Sequence, residues 1–258
     1  MKIENYGTGE RCTEAMRLLV EWAGTKQGAP GVERVILLPI PSTRDGVNLC
    51  GSDIPLTDIL NDVKSGELII GYSIPDSVAE YITSRGAQPC DVAKDERFLD
   101  ENAVLTAIGA LEYLLTISNR APSDLTVGII GYGRIGSRLA RILLFLGAKI
   151  IIYTSKNLTR VELGVLGVEN RCINYTTPNL GDIEEIDVLF NTAPTKLGDC
   201  FPGGKIPQGL EVIELASGNN FAGVTGVIKL PSIPERNYPK SAGRAYFRAI
   251  KRFMRGDF

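Results

Sequence analysis

The chain has 258 residues, with 28 Lys plus Arg against 30 Asp plus Glu and a net charge of -2, a balance that gives no electrostatic footing for nucleic acid or an anionic membrane. Apolar residues make up 44% and charged residues 22%, which fits a globular chain of one large or two modest domains and excludes a disordered one. Histidine is absent, so Ser-His-Asp and Cys-His catalysis, His-ligated metal sites and any dehydrogenase with a histidine acid–base group are excluded.

In chain order, residues 1–10 are poor in apolar side chains and predict no opening strand. Residues 13–22 place Ala15, Met16, Leu19, Val20 and Trp22 at helical spacing. GTKQGAPG, residues 24–31, reads as a loop, and residues 32–41 as a short buried strand ended by prolines. Another strand at 68–72 precedes a helix at 76–85. Strand, helix, strand, helix is the order of a parallel α/β unit. Residues 100–118 form a helix apolar nearly all round, with Asp100 as N-cap, and NRAPSD at 119–124 is a turn and domain hinge.

From Leu125 the apolar runs become denser. LTVGIIG is a buried strand, residues 134–146 a helix, and AKIIIYTS a second strand. CINY at 172–175 is a short third strand. DVLFNT, EVIELA and GVIKLP follow as later strands. Continuous apolar strands of this kind belong to parallel sheets covered on both faces. Residues 241–254 form a closing helix with Ala242, Tyr246, Ala249, Ile250 and Phe253 on one face. Its cations form a solvated face, with Arg252 and Arg255 suited to a helix C-terminus.

No segment reaches the roughly 20 apolar residues of a membrane span. The N-terminus shows no secretory h-region. Five cysteines at 12, 50, 90, 172 and 200, with no CxxC, read as small buried hydrophobes in a reducing cytoplasm, without metal.

The motif with most chemistry is Gly131-Tyr132-Gly133-Arg134-Ile135-Gly136. It follows an apolar strand and opens a helix that leads to a second strand, the context a dinucleotide fingerprint requires. Gly131 makes the turn, Gly133 admits the pyrophosphate and Gly136 lets helix and sheet pack closely. About 20 residues on, NAD sites place a carboxylate for the ribose. Here stand Thr154, Ser155, Lys156 and Arg160, hydroxyls and cations suited to a 2′-phosphate. NADP is therefore favoured, with NAD as the alternative. Asn191, Thr192, Ala193 and Pro194, with Ala216 and Ser217, follow later strands and are candidate walls of the nicotinamide pocket.

The sequence resembles the bacterial dipicolinate synthase A family. The resemblance is carried by GIIGYGRIGSRLARILLFLGAKIII, DVLFNTAP, EVIELASG, ILLPIPSTRDG, ENAVLTAIGAL and the C-terminal LPSIPERNYPKSAGRAYFRAI. It implies an α/β fold: a Rossmann-type parallel-sheet NADP-binding domain plus a smaller, shortened N-terminal α/β domain. The domains would be residues 1–100, joined by the helix at 241–258, and 101–240 with a linker helix at 101–118. It also implies oxidation of dihydrodipicolinate to dipicolinate with NADP in spore formation. Its implied partner is a flavoprotein-like second subunit; separately, a homo-oligomer is expected.

Candidate contacts for a small dicarboxylate substrate are Ser42, Thr43, Arg44, Ser73, Asn102 and Thr106, while no catalytic residue is assigned. Lys240 and Ser241 either cap the last helix or reach the substrate. The chain departs from the resemblance at Leu105 and Ile108, which stand where the family has Pro and Glu, and at Ser232-Ile233-Pro234-Glu235, where it has G-x-P-G. Two other readings remain: a different NAD(P)-dependent oxidoreductase of the same fold, and a non-catalytic nucleotide-binding subunit.

Overall fold

The computed structural model describes residues 1–25, 31–181 and 183–257. Most of the expected loop at 24–31 therefore lies outside the described residues. The chain divides into two compact units. One comprises Met1–Asn102 with Pro234–Phe258, the other Ala103–Ile233.

The first unit is built on four parallel strands in the order β1 (Lys2–Asn5), β2 (Arg34–Leu37), β3 (Leu68–Gly71) and β4 (Gln88–Asp91). The opening segment thus supplies a strand, contrary to the sequence expectation. β1 is an edge strand held by its backbone register with β2 (Ile3 opposite Val35), and pairing of that kind leaves no apolar run to read. A cross-strand pair reinforces it, with Arg34 Nη2 2.8 Å from Glu4 Oε2.

Side chains alternate across the sheet as strand geometry dictates. Val35 and Leu37 face one core with Leu68, Ile70 and Cys90. Ile36 and Leu38 face the other with Ile69. Helix α1 (Glu10–Ala23) covers the first face with Cys12, Ala15, Leu19 and Trp22. Helices α2 (Leu56–Leu60) and α3 (Asp76–Ser84) cover the second through Leu56, Leu60 and Ile82.

Helix α4 (Glu96–Ile117) starts four residues before the expected helix. Asp95, not Asp100, caps it: Asp95 Oδ1 accepts the N–H groups of Arg97 at 2.9 Å and Phe98 at 3.1 Å.

The second unit holds six parallel strands in the order β10-β9-β8-β5-β6-β7. These are β5 (Thr126–Ile130), β6 (Lys149–Thr154), β7 (Glu169–Cys172), β8 (Val188–Asn191), β9 (Glu211–Glu214) and β10 (Ile228–Lys229). Read from β7, that is the doubly wound Rossmann order, with its reversal between β5 and β8. β7 precedes its expected place at 172–175, because it is a polar edge strand paired with β6. One face packs Val127, Ile129, Ile150, Ile152 and Phe190 against Ala107, Ala110 and Leu114 of α4. Leu139, Ala140 and Leu143 of α5 (Arg134–Phe145) and Leu163 of α6 (Asn157–Val165) complete that layer.

The chain closes with α7 (Ile233–Asn237) and α8 (Pro239–Arg255). Helix α8 lies on α1 in the first unit, where a Cβ on Gly243 would stand 2.7 Å from the Arg11 carbonyl oxygen. Only glycine permits that approach. The cations of α8 are not merely solvated. Arg252 Nε donates to Asp95 Oδ2 at 2.9 Å, Arg248 pairs with Glu101, and Lys251 lies 5.7 Å above the Trp22 ring.

Cys12 and Cys90 are buried as small hydrophobes, and burial pushes the Cys12 thiol up to about 11. Cys172 is exposed, contrary to expectation. No helix among the described residues is long and apolar enough to cross a membrane.

Candidate functional site

The glycine fingerprint lies at the carboxyl end of β5, beside the strand-order reversal. Gly131 has φ +90°, a conformation that favours glycine, and its N–H donates to the Tyr153 carbonyl at 2.8 Å. A Cβ on Gly136 would lie 2.2 Å from the Gly131 carbonyl oxygen, so the first turn of α5 closes against the loop only without a side chain. Gly133 is the N-cap of α5 and makes no side-chain cap. No heavy atom lies within 4 Å of where its Cβ would be. The loop therefore offers open room beside a helix N-terminus, whose amides and dipole suit a pyrophosphate. Arg134 is exposed and Ile135 half-buried in the same turn.

Thr192 locks this loop to the end of β8. Its hydroxyl donates to the Ile130 carbonyl at 2.9 Å. Asn191 is fully buried, and its Oδ1 accepts the Ala193 N–H at 3.0 Å. Pro194 is exposed and Ala193 half-buried.

Sequence reasoning passed over Glu214 at the end of β9. It is 3% exposed. Its Oε1 accepts from Asn191 Nδ2 at 3.0 Å and from the Ala216 N–H at 2.9 Å. Desolvation raises its pKa against the lowering by hydrogen bonds from Asn220, Ala216 and Asn191. A glutamate within the apolar run EVIELA was the available signal. Ser217 follows, exposed.

At the end of β6, Thr154 is buried and its Oγ1 accepts the Lys156 N–H at 3.3 Å. Ser155 and Lys156 are exposed. Arg160 is half-buried on α6, and its Nε has no hydrogen-bond partner. The structure thus brings the fingerprint, Asn191–Pro194, Thr154–Lys156 and Ala216–Ser217 to the carboxyl ends of neighbouring parallel strands in one sheet.

The expected substrate contacts are arranged differently. Ser42 is wholly buried, and its Oγ accepts the Tyr72 N–H at 2.9 Å, tying the extensions of β2 and β3 together. Thr43 Oγ1 donates to Asp45 at 3.0 Å within a turn. Arg44 is exposed. Ser73 is exposed at φ 55°, with its N–H held by Asp91 Oδ1 at 2.8 Å. Asn102 and Thr106 lie one turn apart on α4, the first half-buried and the second buried. Lys240 and Ser241 are exposed in the first turn of α8, which has Tyr238 at its N-cap and no side-chain cap.

Missed as well was Arg11, because the expected helix began two residues after it. It is 5% exposed, with Nε 3.1 Å from Oε2 of Glu235, a residue of the segment that departs from the family pattern.

The second unit has the Rossmann fold, with a glycine loop of the dinucleotide-binding type at the carboxyl end of β5. Residues 112–194 match the family model "D-isomer specific 2-hydroxyacid dehydrogenase, NAD binding domain". The structural neighbours are those to which the sequence resemblance pointed. Dipicolinate synthase A from Bacillus halodurans superposes with a TM-score of 0.75 at 19% identity, covering 98% of this chain and 97% of that one. The A chain of dipicolinate synthase from Bacillus subtilis gives 0.73 at 17% identity, covering 100% and 96%. D-lactate dehydrogenase from Escherichia coli gives 0.61 at 13% identity, covering 100% and 98%. No curated protein matches the chain.

Proposed function

We propose that the chain is an NADP-dependent oxidoreductase of the dipicolinate synthase A type, which oxidises dihydrodipicolinate to dipicolinate in spore formation. The observation that carries the dinucleotide part is the open, uncapped helix start at Gly133, closed behind by Gly131, Gly136 and Thr192. The amides at this helix start hold the pyrophosphate. Thr154, Ser155, Lys156 and Arg160 hold the 2′-phosphate, and residues 154–161 contain no carboxylate to repel it.

NADP supplies a hydride acceptor when bound. The residues of this chain position and bind. Asn191 and Glu214 fix the loops at Ala193 and Ala216 against the nucleotide site. Product aromaticity supplies the driving force, so the proton leaves to water without a histidine. The flavoprotein-like second subunit is the proposed partner, in the cytoplasm.

Self-association is proposed through the outer face of α5 and α6. Phe145, Leu158, Val161, Val165 and Leu166 are 90%, 73%, 64%, 83% and 72% exposed. Exposed Arg141 and Glu162 on these two helices give a second copy of the chain complementary charges to meet.

The test supplies purified protein with freshly generated dihydrodipicolinate and NADP+, then follows NADPH and dipicolinate together. NAD+ serves as control, and a further run includes the second subunit. Joint appearance of both products supports the reading. NADPH binding without product even with the partner overturns the substrate. A second reading, an oxidoreductase with another substrate, is favoured by Ile108, which is 39% exposed where the resembling segment has a glutamate. Turnover of another substrate in a dehydrogenase screen would establish it.

A further inference from the structure

The geometry points to Arg11 as a receptor for a ligand carboxylate in the first unit, with Glu235 seated on it as a tethered competitor. Helix α1 starts a few residues beyond the end of β1. Its first turn therefore stands at the carboxyl edge of that unit's sheet, where ligands of open parallel sheets bind. Arg11 is in this turn, and its side chain is 6% exposed. A guanidinium buried so deeply requires a counter-charge.

Glu235 supplies one. Its Oε2 lies 3.1 Å from Arg11 Nε, and its Oε1 accepts the Arg11 backbone N–H at 3.4 Å. Oε1 also lies 2.2 Å from where a Cβ of Gly9 would be, so a bare glycine backbone makes the room. A carboxylate is thus held at a helix N-terminus by a buried arginine.

The pairing leaves donors over. Nε is buried without a partner in hydrogen-bonding geometry, its contact with Glu235 being an ion pair. A guanidinium carries five N–H donors. The Tyr246 hydroxyl is fully buried and likewise has no partner. It packs in the same core as Cys12, the chain neighbour of Arg11, with Tyr72 against that core. Buried donors in excess of acceptors call for a ligand that only accepts, and the planar fork of arginine matches the two oxygens of a carboxylate.

The two partners differ in freedom. The Arg11 side chain is 6% exposed, whereas the Glu235 side chain is 30% exposed on a five-residue helix. An incoming carboxylate therefore displaces Glu235, not Arg11. The oxidoreductase reading enters only in naming the substrate as the source of that carboxylate. Anion binding is measured without turnover, so failure of one reading does not carry the other.

The experiment titrates full-length protein with acetate and with pyridine-2,6-dicarboxylate by calorimetry, using chloride and sulfate as ionic controls. Wild type should bind the carboxylates weakly. Glu235→Gln removes the competing charge at nearly constant size and should tighten carboxylate binding about tenfold or more, since charge-assisted hydrogen bonds are worth 1.5–3 kcal/mol. The double variant E235Q/R11M should lose the gain. Removing both members of a buried ion pair is often tolerated by the fold, and circular dichroism with NADPH titration checks that both variants are intact. The proposal is overturned if folded E235Q gains nothing, if the gain survives R11M, or if chloride and sulfate reproduce it.

Discussion

Asn191 and Glu214 join the ends of β8 and β9 through a buried 3.0 Å hydrogen bond from Asn191 Nδ2 to Glu214 Oε1. The same carboxyl oxygen holds the Ala216 N–H, and Asn191 holds the Ala193 N–H. Two loops beside the nucleotide site thus hang from one carboxyl group. Glu214→Ala should cost about 1–3 kcal/mol, the penalty for stranding buried donors, as read by urea unfolding.

The pH dependence of this carboxyl has a definite sign. Its folded pKa is raised above the ordinary 4.5. Between the unfolded and folded values the native state binds more protons, so stability falls as pH rises through that window. In Glu214→Gln this contribution should vanish. Equal pH slopes for the variant and wild type would contradict it.

Gly133 and Gly136 should separate binding from folding. Gly136→Ala forces a Cβ to within 2.2 Å of the Gly131 carbonyl oxygen, and overpacking of this kind costs about 1–3 kcal/mol. Gly133→Ala meets nothing within 4 Å, so it should melt like wild type yet bind NADPH more weakly. Thermal unfolding and fluorescence titration read the two effects separately.

Preference for the 2′-phosphate should follow the cations after β6. The double change Lys156→Ala, Arg160→Ala should weaken NADPH binding about tenfold or more, in line with charge-assisted hydrogen bonds of 1.5–3 kcal/mol. NADH affinity should stay nearly constant. Equal losses for both nucleotides would show that these residues do not read the phosphate.

Asp95 performs two tasks: it caps α4 with Oδ1 and binds Arg252 with Oδ2. The side chains of this ion pair are 6% and 14% exposed. Asp95→Ala should destabilise the protein by about 1–3 kcal/mol, because it removes the cap of α4 and leaves a mostly buried guanidinium with only Glu101, 4.0 Å away, as counter-charge. Equilibrium denaturation checks this, and the double variant D95A/R252M should recover part of the loss.

Apolar runs and helical spacing made the central strands legible, since β3, β5, β6, β8 and β9 are buried in the sheets. The glycine fingerprint was legible for the same local reason: turn, strand and helix adjoin in sequence. Edge strands were not. β1 (KIEN) and β7 (ENRC) are polar, and their place comes from backbone pairing with a neighbour. Arg11 was hidden because a charged residue at a helix start reads as solvated, and only packing buries it.

By itself, the sequence determined that two α/β segments follow one another, that histidine chemistry is excluded, and where a dinucleotide loop stands. These are properties of composition and of neighbouring residues. Tertiary structure alone decided that Arg11 meets Glu235, 224 positions away, and that Asn191 meets Glu214. Such pairs depend on which strand ends and helix termini come together. Strand order fixes that, and no local pattern of residues encodes it.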